Sequence, residues 1–111
     1  MAQTFKRHIS SAIENTATAI GLYTVPVSTT AVVVGLLVSN PTGTGDIKID
    51  INFHTSSTSI ALGNDIVIPY GQSLIVIGWD QKIVMEAGDS IKINTVGAGT
   101  ADAILSIMEV S

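Results

Sequence analysis

The sequence predicts an all-β fold: a single antiparallel β-sandwich over residues 1–111, with the jelly roll as one version of it and residues 1–14 as an N-terminal extended arm or edge strand. Three observations predict it. Short β-branched segments are punctuated by Gly, Pro, Asn and Thr about every 8 to 12 residues. Residues 46–54 alternate cleanly, with Ile47, Ile49, Ile51 and Phe53 on one face and Lys48, Asp50, Asn52 and His54 on the other. No stretch sustains a 3.6-residue period over the ten or more residues that a helix needs. The 111 residues have room for one core, a domain of this size burying roughly 65% of the surface its unfolded chain exposes.

Taken in order, the first element places Phe5, Arg7, Ile9, Ser11 and Ile13 on one face of an extended segment of mixed character, as befits a strand that pairs outside the core. Residues 17–25 and 31–39 are the next two strands, joined by the proline turn at Pro26. The second of these is apolar on both faces, so it belongs at the centre of a sheet or under a cover. Asn40 to Gly45 form a turn cluster. The alternating strand 46–54 follows, then residues 60–68 with a break at Gly63 and Asn64, a turn at Pro69–Gln72, and a strand over 74–79. Segments 82–85, 90–95 and 103–110 complete the set.

Charged residues make up 13% of the chain, against about 25% in an average soluble domain, and mean hydropathy is positive at +0.49. A small domain has the largest share of surface to keep wet, so this imbalance predicts surface that other subunits cover. A formal net charge of −4 argues against nucleic-acid and anionic-membrane partners, which require a basic footprint. Lys6, Arg7 and His8 form a basic end on a body that carries three basic and nine acidic residues from Ile9 onward. Such an end either docks on an acidic neighbour or keeps the first strand solvated. The absence of Cys excludes disulfides, thiolate metal sites and cysteine catalysis. No secretory signal pattern follows Lys6 and Arg7, and the apolar run 31–38 is far short of the ~20 residues that span a bilayer.

Candidate chemistry is thin. Gly71-Gln-Ser73-Leu-Ile75 starts like a nucleophile elbow, but Ile75 stands where the second Gly is needed, so a turn over Pro69 to Ser73 is the better reading. Gly43-Thr-Gly45 and Gly97-Ala-Gly99 lack the third Gly and the helix of a phosphate loop. Asp46, Lys48 and Asp50 place a lysine where a calcium loop wants an oxygen ligand. His8 and His54 are isolated imidazoles expected in solvent, and Asp65, Asp80, Asp89 and Asp102 sit at predicted turns, where they bond backbone N–H groups. Tyr23, Tyr70 and Trp79 are a sparse set for a sugar-stacking platform. No catalytic residue, metal ligand or cofactor is assigned, and the chain reads as a non-enzyme.

Leu22-Tyr-Thr-Val-Pro, Ser28-Thr-Thr-Ala-Val-Val-Val-Gly-Leu, Val67-Ile-Pro-Tyr-Gly-Gln-Ser-Leu, the segment from Lys82 to Ile93 and the ending Ala103-Ile-Leu-Ser-Ile-Met-Glu-Val resemble small virion structural proteins of tailed bacteriophages, cyanophages among them. The resemblance covers most of the chain from about Phe5 and consists of turn and strand patterns. It implies a virion component assembled in the host cytoplasm. The expected role is a capsid decoration or cement protein, with a neck, collar or tail component and a receptor- or glycan-binding module as competing readings. Its partners would be copies of itself, trimers included, and other virion proteins such as the major capsid protein. The interface candidates are Phe5, Lys6, Arg7 and Ile9 in the first segment and Tyr70 and Trp79 as aromatic anchors.

Overall fold

Strand pairing in this chain is nested, the first strand with the last and each inner strand with its counterpart. A computed structural model describes residues 3–41, 45–78, 82–97 and 99–111. Among them it shows β1 (Gln3–Ile13), β2 (Thr18–Ala19), a 3-10 turn (Ile20–Leu22), β3 (Thr30–Ser39), β4 (Ile47–His54), β5 (Ser59–Ile68), β6 (Ser73–Ile77), β7 (Ile83–Met85), β8 (Ser90–Val96) and β9 (Ala101–Val110). One sheet has the order β1-β9-β3-β6, with β7 pairing the other end of β3; the second has the order β2-β8-β4-β5. All pairings are antiparallel. Pairing β1 with β9, β2 with β8, β3 with β6 and β7, and β4 with β5 is the connectivity of a jelly roll. The all-β sandwich is therefore observed, and β1 is an edge strand hydrogen-bonded along its length to β9.

The core fills the space between the sheets with Ile49 and Ile51 of β4, Ile91 and Ile93 of β8, Val33 and Leu36 of β3 and Leu105 and Ile107 of β9, all buried. Burying each such side chain contributes roughly 1.5–3 kcal/mol. β4 matches its alternation: Ile47, Ile49 and Ile51 point inward and Lys48 is exposed. β3 is central, as its two-faced apolar run requires.

Three elements differ from the sequence expectation. Residues 17–25 form only the two-residue β2, because Gly21 (φ 62) and Leu22 (φ 56) take left-handed backbone and turn the chain. Gly21 lies so close to β1 that an added Cβ would stand 2.7 Å from His8 Cβ, and its N–H donates to Ser10 Oγ at 2.7 Å. In β1, the face shared by Phe5, Arg7 and Ile9 does not continue to Ile13. Ala12 (φ 54) bulges between Ser10 and Ile13 and turns Ile13 into the core. In β5 the break at Gly63 and Asn64 is a shift in register within a continuous strand, and Asp65 (φ 52) donates its N–H to Asp50 Oδ1 at 2.8 Å. Trp79, Asp80 and Gly43 lie outside the described residues.

Candidate assembly interface

The two sheets differ in what they present outward, the second mixing polar residues with scattered exposed Ile60, Leu62, Val67 and Val96. On the β2-β8-β4-β5 sheet, register aligns Lys48, Asp50, Asn52 and His54 of β4 with Val96, Asn94, Lys92 and Ser90 of β8, a largely polar surface. On the other sheet, register builds two apolar rows across its width. Phe5 of β1 stands beside Met108 of β9, which stands beside Val32 of β3, which stands beside Val84 of β7. Ile9, Ile104, Leu37 and Ile75 make the second row across β1, β9, β3 and β6. Between the rows run Arg7, Ser106 and Gly35. The small side chains leave a groove of about 290 Å³ lined by Gly35, Leu37, Ile75, Ile104 and Ser106. Phe5 is 75% exposed, Ile75 61%, and Val84 and Ile9 58% each. Apolar surface of this extent on one face marks a contact site.

Beneath the β1 end of this sheet, a polar cluster fastens the edge strand. Lys6 points inward and meets Glu109 Oε1 at 2.9 Å, while Tyr23 Oη donates to Glu109 Oε2 at 2.5 Å. His8 stacks on Tyr23 with ring centroids 4.1 Å apart, and its buried Nε2 has no hydrogen-bond partner. Burial pushes the His8 imidazole below its ordinary value; the Glu109 carboxylate opposes this and Lys6 reinforces it. Hydrogen bonds from Lys6 and then Tyr23 hold Glu109 below the usual carboxylate range in spite of its burial. Desolvation, followed by the bond to Glu109, drives the Tyr23 phenol well above its ordinary value. His8 is thus packed where solvent was expected, and Tyr23, buried and bonded to Glu109, is withdrawn from any sugar platform.

Of the interface candidates, Phe5, Arg7 and Ile9 lie on the outer face and Lys6 turns inward. Tyr70 is exposed in the turn between β5 and β6, and Trp79 is outside the described residues. Sequence reasoning missed Val32, Leu37, Ile75, Val84, Ile104 and Met108, which complete the two rows. The signal was the two-faced apolar character of β3 and β9. The remaining motifs are structural: Gln72 N–H donates to Pro69 O at 3.0 Å, making the Pro69–Ser73 segment a turn that runs into β6. Asp89 accepts the Glu86 N–H within its own turn, whereas Asp102 accepts the Ala12 N–H across the β1 bulge. Among the described residues no three of His, Cys, Asp and Glu gather as metal ligands, and no helix is long and apolar enough to cross a membrane.

No family model matches the chain, and no curated protein does. Among solved structures it is similar to a chain of Bacillus endospore appendages, described as a novel family of disulfide-linked pili. The two share 22% identity and a TM-score of 0.56, over 99% of this chain and 87% of the other. This finding overturns the expected role as a bacteriophage capsid decoration protein, because the matching fold is that of a bacterial appendage, and it lends no support to the major capsid protein as a partner. The physical reason is that turn and strand patterns such as Val67 to Leu74 encode a sandwich and carry nothing about the particle it builds.

Proposed function

We propose that this chain is a structural subunit that assembles with copies of itself into an ordered polymer. The observation that carries this reading is the outer face of the β1-β9-β3-β6 sheet, where two apolar rows stand uncovered while the β4 and β8 residues facing outward from the other sheet are mostly polar. The likeness to a pilus protein supports it at the level of fold. These residues contain no cysteine, so the links they make are not disulfides, in contrast to those described for the appendage pili. Apolar burial and backbone pairing at free strand edges supply the attraction.

The test is absolute mass by light scattering after size exclusion across a concentration series, with negative-stain microscopy of the concentrated end. Mass that rises with concentration toward regular polymers is expected. A monomer at every concentration, with no ordered particles in the images, overturns the reading.

A further inference from the structure

We infer that the outer face of the β1-β9-β3-β6 sheet is the contact between two copies of this chain, packed face to face with an apolar row of one lying in the Ser106–Gly35 groove of the other. This rests on the self-assembly reading above and names the surface and the occupant.

Relief is the first argument. Met108 and Ile104, which mark the two rows on β9, are four residues apart, about 13–14 Å along the strand. Ser106 and Gly35 lie between them and leave the groove. A ridge of Ile and Leu side chains is the shape that such a groove takes, and the same face supplies both ridge and groove. Sheets stacked face to face sit ~10 Å apart with interdigitating side chains, so two copies turned against each other build a second sandwich core.

Area is the second argument. Phe5, Ile9, Leu37, Ile75, Val84 and Ile104 each exceed one-third exposure, and with roughly 150–200 Å² per side chain of this size they expose on the order of 600 Å². Half-buried Val32 and Met108 add to this. The total approaches the ~800 Å² per partner of a stable interface.

Symmetry is the third argument. Turning the second copy end for end reverses the order of its rows, so the Ile104 row of each copy seats in the Ser106–Gly35 groove of the other. The contact is isologous and self-complementary, so it joins copies in pairs, and backbone pairing at free strand edges joins the pairs into the polymer.

Ile75→Lys and Val84→Lys test it, because both residues stand exposed on the short outer strands, and Val67→Lys on the opposite sheet serves as control. Sedimentation across concentration reads the association, and thermal melts read the fold. The first two variants are expected to weaken association at least tenfold while Val67→Lys leaves it unchanged. If the unaltered chain associates and the folded face variants associate equally well, the face-to-face contact is wrong and self-assembly stands. A chain that is monomeric throughout removes both. Should the lysine variants fail to fold, Ile104→Cys provides the sole thiol of these residues. It is expected to cross-link copies under mild oxidant faster than Val67→Cys does, and equal rates overturn the inference.

Discussion

Glu109 accepts from two donors at the seam where the edge strand meets the sandwich, and His8 sits beside it without a hydrogen bond of its own at Nε2. The folded state favours neutral His8 and ionised Glu109, since both groups bind their protons more weakly folded than unfolded. The unfolded chain therefore takes up more protons on acidification, and stability rises with pH across both windows. Full stability is expected above pH 6.5, the ordinary value for His8, with one loss as pH falls below it and a second as pH falls below 4.5, the ordinary value for Glu109. Urea titrations at pH 7, 5.5 and 4 measure this. His8→Phe keeps the stacking on Tyr23 and should remove the loss between pH 7 and 5.5 while retaining the loss near pH 4. A slope that survives in that variant would assign the first loss to another group. None of this was legible in the sequence, where His8 lies between Arg7 and Ile9 and its partners lie 15 and 101 positions further on, at Tyr23 and Glu109.

Bulges decide which faces the strands present. Were β1 to run on regularly through Ser11 and Ala12, its period-two pattern would point Ile13 to solvent along with Ile9. Ala12→Pro, which cannot take the positive φ of the bulge and has no N–H to donate to Asp102, is expected to break the bulge and draw Ile13 out of the core, at a cost of roughly 2–5 kcal/mol. Chemical denaturation checks the size of this loss; a change below about 1 kcal/mol would mean that the strand re-registers freely. The same physics explains what the sequence showed and hid. β4 was legible because its alternation is unbroken from Ile47 through Asn52. The shift between Val33 and Gly35 in β3 was hidden by its uniformly apolar side chains, since a change of face leaves no trace when both faces are apolar. β2 was overextended because Gly21 turns the chain through a contact with β1 that local pattern cannot encode.

For the whole molecule, composition already said that too few charges cover too much surface, but not where. Each apolar row draws on four strands, from Phe5 to Met108 in one and from Ile9 to Ile104 in the other, so only topology assembles the face. An apolar contact strengthens with excluded salts and is little affected by charge screening. Ammonium sulfate at a few tenths molar should raise the assembled fraction measured by light scattering, and sodium chloride at the same ionic strength should change it much less. Equal responses would point to an electrostatic contact. The central place of β9, between β1 and β3, carries one more consequence. The ribosome makes β9 after every strand that it joins, so while residues 101–110 are still in the exit tunnel β1 has no strand neighbour and neither apolar row is complete. The order of synthesis thus delays stickiness: chains growing side by side on one messenger present the complete adhesive face to each other only after β9 has emerged.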